Sequence, residues 1–93
     1  MTVEHQTNQK KGLFFILEND KHQAEMTYTY AGDDKIIIDH TEVYPGNEGR
    51  GLGKMLVKAA VEFAREKHLK ILPLCPFAKN VFDKSPDYSD VLF

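Results

Sequence analysis

Residues Asn47 to Leu56 read "NEGRGLGKML", with three glycines at alternate positions, an arginine among them and an apolar run behind them. Upstream lies "KIIIDHTEVY" (Lys35 to Tyr44), whose first half is β-branched and reads as a strand. Downstream, Leu52, Met55, Leu56, Ala59 and Phe63 recur at helical spacing, with Lys54, Lys58, Glu62 and Glu66 on the opposite side. The spacing predicts a helix from Gly51 to Lys67, whose cationic end "REKH" (Arg65 to His68) complements the helix dipole. The glycine loop therefore joins a strand end to a helix start. Several backbone N–H groups there lack intrahelical partners and the dipole is positive, so a phosphate is the natural ligand. Gly49, Gly51 and Gly53 clear side chains from that approach, and Arg50 and Lys54 can add charge-assisted bonds. The plainer alternative is a glycine-rich turn in which Gly53 lets the helix pack closely on the sheet. No Lys-Ser/Thr pair follows for a P-loop, and no βαβ unit precedes for a dinucleotide-binding site.

Outward from the loop, "GLFFILE" (Gly12 to Glu18) is an apolar run of strand length, and "ENDK" (Glu18 to Lys21) supplies a turn. In "HQAEMTYTY" (His22 to Tyr30), Ala24, Met26, Tyr28 and Tyr30 fall on one face and Glu25, Thr27 and Thr29 on the other. That alternation is the mark of a half-buried strand. "AGDD" (Ala31 to Asp34) turns the chain into the third strand, completing an antiparallel meander. After the helix, "LKILPL" (Leu69 to Leu74) is a short buried strand, and "FAKNVFDKS" (Phe77 to Ser85) a second helix stopped by Pro86. The expected class is α+β, in the order β-β-β-α-β-α, with a mostly antiparallel sheet and two helices. Residues 1–93 are expected to form one domain, with the polar start 1–11 flexible.

Three segments together resemble the GNAT superfamily of acetyl-CoA-dependent acetyltransferases, and within it a small one-domain subfamily. They are "DHTEV" (Asp39 to Val43), "RGLGKMLV" (Arg50 to Val57), and "PLCPF" (Pro73 to Phe77) with a later "P-x-Y" element. The resemblance covers roughly residues 13–88. It implies that Glu48, Gly49, Arg50, Gly51, Leu52 and Gly53 stand at the six positions of a Gln/Arg-x-x-Gly-x-Gly/Ala loop. The amides of that loop would hold the CoA pyrophosphate. The pantetheine arm would run along "HTEVY", past Val43 and Tyr44, and the following strand would splay away to admit the thioester. An Asn-x-x-Ala-x-x-x-Tyr element common in the superfamily maps onto Cys75, Ala78 and Phe82. This chain thus keeps the alanine, replaces both polar members, and carries Glu48 where Gln or Arg is usual.

Cys75 stands just before a short helix, where a helix N-terminus lowers a thiol pKa and the thiolate can take an acetyl group. Its other reading is a small packed residue between Pro73 and Pro76. His40 and Glu42 share a strand face if the alternation is unbroken, and either can deprotonate an amine. A structural histidine and a solvated carboxylate are the plain alternatives. Tyr88 can either supply the phenol that Phe82 lacks or pack the tail.

Bulk properties agree with these readings. With 42% hydrophobic and 28% charged residues the chain is globular, and a net charge of −2 offers no basic field for nucleic acid or acidic lipid. One cysteine excludes an internal disulfide, and a reducing, cytoplasmic setting is expected. No apolar stretch has membrane-spanning length, and the polar start lacks a signal-peptide core. The histidines and Cys75 show no metal-ligand spacing, so no metal is expected. The expected function is acetyl-CoA binding with acetyl transfer to an unidentified amine by a monomer, acylation of Cys75 being one route. The alternative is a non-catalytic acetyl-CoA carrier or sensor.

Overall fold

The computed structural model describes residues 2–93. Five strands form one sheet in the order β1 (Thr2–Thr7), β2 (Lys11–Glu18), β3 (Lys21–Ala31), β4 (Lys35–Val43), β5 (Lys70–Pro73). The first four pair antiparallel, and β5 lies parallel to β4. A parallel neighbour requires a crossover, which here is helix α1 (Leu52–Lys67). A short helix α2 (Pro76–Asp83) and a 3-10 helix (Pro86–Val91) complete the helical layer. The expected α+β class with a mostly antiparallel sheet is the class observed, with one more strand and one more short helix than expected.

The added strand is β1. The polar start, expected to be flexible, instead pairs along β2 from Thr2 opposite Leu17 to Thr7 opposite Gly12. Its signal was hidden because two of its three inward residues, His5 and Thr7, are polar. His5 stacks on Phe14 with ring centroids 4.0 Å apart, and its Nε2 lies 2.6 Å from the Tyr28 hydroxyl. A buried phenol thus finds a partner on β1 rather than in water.

The alternation on β3 puts Ala24, Met26 and Tyr28 fully inside. On β2 the run "FFI" is continuous because both faces are covered: Phe14 and Ile16 face the helices, whereas Phe15 faces outward under a stacked His22 ring at 4.6 Å. The β2–β3 hairpin turns on Asn19 and Asp20 at φ 54° and 62°, a pair of positive values that suits the twist of antiparallel strands. Helix α1 lays Leu52, Leu56, Val57, Ala60, Val61 and Ala64 on the sheet and ends at His68, in the left-handed conformation. The Leu69 N–H closes that end on the Ala64 carbonyl at 2.8 Å. Beyond the 3-10 helix, the Phe93 N–H bonds to the Ile71 carbonyl, so the tail covers the free edge of β5.

One glycine is fixed by the core rather than by a turn. A Cβ at Gly12 would lie 2.3 Å from Cζ of the fully buried Tyr28. Gly12→Ala should therefore displace the ring and strain its bonds to His5 and Thr7. The expected cost is about 1–3 kcal/mol, read as a lower urea midpoint with an unchanged m-value. A midpoint equal to wild type would show that the ring has room to move.

Candidate functional site

The site begins with a fault in the sheet. Tyr28 stands opposite Ile38, but Thr27 stands opposite His40, so Asp39 is an extra residue bulged out of β4. A bulge reverses which residues face the core. Before it, Ile36 and Ile38 point to the helices; after it, Thr41 and Val43 do, sharing a face with Met26 and Ala24. His40 and Glu42, opposite Thr27 and Glu25, therefore point to the outer face. They do share a face, with Nε2 and Oε1 3.7 Å apart, but it is not the face of Ile36 and Ile38 that unbroken alternation predicts.

At the same point β5 parts from β4. Their pairing runs from Lys35 with Lys70 to Ile38 with Pro73 and then stops. The N–H groups of Leu74 and Cys75 both donate to the Ile38 carbonyl, at 3.2 and 3.1 Å. From Asp39 to Val43 no strand pairs with that side of β4 among the described residues. Val43 ends the unpaired edge of β4, and Leu74 and Phe77 lie on the segment that turns away from it; all three are half-exposed or exposed.

Cys75 occupies the base of the opening as the N-cap of α2, 7% exposed, with its Sγ 3.4 Å from the Thr41 hydroxyl. Burial pushes its pKa up. The Thr41 hydroxyl and the N–H groups of Ala78, Phe77 and Thr41 outweigh that effect and leave the thiol below its ordinary value. The thiol is thus both enclosed and disposed to ionise. Because it bonds to Thr41 while His40 faces the opposite side of the strand, the two do not form a base-thiol pair. Ala78 and Phe82 are buried in the core, and Tyr88 packs edge-on to Phe82 with centroids 6.0 Å apart. Tyr88 is therefore a packing residue of the tail.

The glycine loop closes the other end of β4. Gly49 and Gly51 have φ of 78° and 74°, and a Cβ on either would meet nothing within 4 Å. Gly46, which the sequence pattern did not single out, is also positive at 91°. Gly53 serves a different purpose. It is already helical, and its missing Cβ makes room for the Phe77 ring, whose Cζ would otherwise be 2.3 Å away. The close packing anticipated there is against α2, not the sheet. Leu52 turns its side chain into the core, leaving only its backbone to the loop. The first bond of α1 is from the Met55 N–H to the Gly51 carbonyl, so the N–H groups of Leu52, Gly53 and Lys54 stand ahead of the helical ladder.

Polar side chains hold this loop in shape. Asn47, 4% exposed, donates from Nδ2 to the Gln23 side chain at 2.9 Å and to the Tyr44 carbonyl at 3.0 Å. Its Oδ1 accepts from Arg50 at 2.7 Å. Arg50, expected to meet a phosphate, instead grips the Glu18 carboxylate with both terminal nitrogens at 3.2 and 3.1 Å. Bonding to Arg50 holds the Glu18 pKa low, and bonding to Glu18 raises that of Arg50. Glu48 folds back to accept from the Gly46 N–H at 3.1 Å. The Tyr44 hydroxyl donates to Glu25, a bond that pushes its pKa up to about 12, and Glu25 also pairs with His22 at 2.7 Å. Asn47 went unread in the sequence because an asparagine in a glycine-rich turn is ordinary; its burial is the signal. Among the described residues no three His, Cys, Asp or Glu side chains converge as metal ligands.

Comparison with known proteins places this geometry. Residues 13–91 match the family model described as GCN5-related N-acetyl-transferase. The protein NATD1 of Xenopus tropicalis is 34% identical over 85 residues, covering 90% of this chain and 76% of the relative. The human NATD1 is 33% identical, covering 90% and 74%. A GCN5-like protein of Staphylococcus aureus, solved by NMR, superposes with a TM-score of 0.74 at 41% identity, covering 97% of this chain and 87% of that one. A ribosomal-protein-alanine N-acetyltransferase of Brucella melitensis superposes with a TM-score of 0.71 over 83% of this chain and 62% of that one. At 14% identity it speaks for the fold alone.

The environment of the thiol carries a prediction. Thr41→Val removes a hydroxyl that stabilises the thiolate while preserving shape. The pH profile of Cys75 alkylation by iodoacetamide should move to higher pH, with the rate near neutrality falling about tenfold or less. An unchanged profile would assign the low pKa to the α2 backbone alone.

Proposed function

This chain belongs to the GCN5-related N-acetyltransferase family, and from that premise we propose that it binds acetyl-CoA and passes the acetyl group to an amine. The observation that carries the reading is a single strand with three features in sequence. β4 bulges at Asp39, loses its β5 neighbour along Asp39–Val43, and ends in a loop with three glycines of positive φ. The exposed edge of β4 can accept a pantetheine arm as it would an added strand. The N–H groups of Leu52, Gly53 and Lys54 can receive the pyrophosphate at the start of α1, whereas that of Arg50 is taken by the Asn47 carbonyl. Val43, Leu74 and Phe77 give the opening an apolar lip suited to the arm and the acyl group.

The thioester then reaches the base of the opening beside Cys75. In the transfer, a thiolate at Cys75 attacks the thioester carbonyl carbon, the bond to the CoA sulfur breaks, and CoA departs as its thiolate, which takes a proton from solvent. An amine attacks the new acetyl-cysteine, the C–N bond forms, the bond to Sγ breaks, and the amine gives up its proton to a base. His40 and Glu42, exposed on the outer face, are the bases available for that last step. A lone thiol of this kind works in a reducing, cytoplasmic setting, where it stays reduced. Two observations favour the carrier alternative: both bases lie across β4 from the thiol, and Phe82 offers no hydroxyl to a departing thiolate.

Two measurements test these statements. Titration of acetyl-CoA should shift the backbone amide signals of residues 49–54 and of Val43 most. The absence of a saturable change there would overturn the reading. Glu48→Gln, by removing a carboxylate from the loop, should tighten binding severalfold. After incubation with acetyl-CoA, mass spectrometry should find one added acetyl group that hydroxylamine removes and Cys75→Ala abolishes. An unmodified wild type that still acetylates an amine would exclude the cysteine route in favour of direct attack.

A further inference from the structure

Over the outward residues of β2, β3 and β4 lies an open hollow of about 610 Å³. Its floor includes Leu13 and Thr27, which stand opposite one another in register and on the side of His40. Gln6 continues that row on β1, and Asn8 walls the end at the β1–β2 turn. Asn8 is fixed there, since its Oδ1 accepts from the N–H groups of Lys10 and Lys11 at 2.8 and 3.0 Å. Two charges of opposite sign complete the lining, Lys11 on β2 and Asp39 on β4. Neither has an ion-pair partner among the described residues, so they do not neutralise each other.

The bulge is what brings a carboxylate to this place. Asp39 is the extra residue of β4, and its Oδ2 accepts from the Thr29 hydroxyl at 2.7 Å. Thr29 is the residue opposite Lys11, so the ammonium and the carboxylate stand on either side of β3. Two strand spacings, about 10 Å, separate the backbones that carry them. A polyamine would satisfy Asp39 and be repelled by Lys11, and a simple carboxylate would do the reverse. A ligand carrying both charges meets both. An extended dipeptide holds its two ends about 7 Å apart, at roughly 3.3–3.6 Å per residue, and the lysine stem covers the remainder. Its amide would then lie among the Thr27 and Thr29 hydroxyls and the Gln6 amide.

We propose that this hollow binds the amine acceptor, a zwitterion of dipeptide length, with its ammonium at Asp39 and its carboxylate at Lys11. This rests on the acetyl-transfer reading and names the substrate class which that reading leaves open. The ammonium end lies at the level where β5 leaves β4, one residue from His40. There the ammonium gives a proton to His40, and the freed amine attacks the carbonyl carbon of acetyl-cysteine through the opening. The C–N bond forms, the bond to Sγ breaks with its electron pair on sulfur, and the second proton of the nitrogen passes to solvent. Asp39 and Lys11 orient the acceptor and select it by charge at both ends.

The probe is glycylglycine, compared with glycylglycinamide, which lacks the carboxylate, and N-acetylglycylglycine, which lacks the ammonium. Titrated at low salt into the full chain without acetyl-CoA, glycylglycine should saturably shift the backbone amide signals of Lys11, Thr27, Thr29 and Asp39. Blocking either end should weaken binding about threefold, as expected of one exposed ion pair. Lys11→Gln should erase only the preference over the amide form. Asp39→Asn, which keeps an acceptor for Thr29, should erase only the preference over the acetylated form. With acetyl-CoA present, wild type should acetylate glycylglycine faster than glycylglycinamide. No saturable shift at the hollow, equal affinity for all three compounds, or tighter binding of spermidine there overturns the proposal. Dipeptide binding without its acetylation, while another amine is acetylated, overturns the acceptor assignment and leaves the acetyl-transfer reading standing. Acetyl-CoA that shifts no signal of the glycine loop overturns that reading, and the acceptor role with it, even where the dipeptide binds.

Discussion

The Ile38 carbonyl accepts from two successive N–H groups, those of Leu74 and Cys75, and the rest of the site depends on that shared acceptor. In a regular parallel pair each carbonyl meets one amide and the strands run on together. Here the second bond stops the advance of β5 and turns the chain into α2 at Pro76. The next residue on the neighbouring strand, Asp39, is the bulge. Divergence of one strand and reversal of the other thus occur at one level of the sheet. The first leaves an edge of β4 without a strand beside it, and the second decides which side chains line it.

Those two events also sort the chemistry by face. Thr41 and Cys75 meet on the helix side, where the N–H groups at the start of α2 favour a thiolate against the opposing effect of burial. His40 and Glu42 lie on the outer side, in solvent. A base in water and a thiol in an enclosed pocket are different devices, and a sheet one strand thick separates them. Any transfer between them passes through the opening between β4 and β5.

Around the glycine loop, shape is maintained by side chains whose charges cancel locally. Asn47 ties the loop to β3 through Gln23, and Arg50 ties it to the end of β2 through Glu18. A buried amide with its donor and acceptor both satisfied gives a single conformation to a segment whose glycines would otherwise have many. With Arg50 so engaged, backbone N–H groups and Lys54 are left as the loop's donors toward an anion.

Much of this was legible in the residue pattern. Alternation fixed the faces of β3, and the strand-loop-helix context located the loop, because both depend on local geometry. Helical spacing located α1 and its inner side at Leu52 and Leu56, but Met55, Ala59 and Phe63 flank a buried stripe completed by Val57, Ala60, Val61 and Ala64. Three features were not legible, each for a physical reason. β1 was missed because Val3 is its one apolar residue packed on the core, while His5 and Thr7 on the same side are polar, stay exposed and are held by Phe14 and the Tyr28 hydroxyl, contacts that sequence does not show. The bulge was missed because an extra residue leaves no trace in composition, yet it moved His40 and Glu42 to the far face. The three glycines read as one device, whereas two adopt positive φ and the third admits a ring from a helix more than twenty residues away. The sequence by itself determined the elements and the chemical groups available, since periodicity and residue type are local properties. Only the tertiary structure decided which groups face each other, because register, strand divergence and ring packing are set by contacts between distant segments.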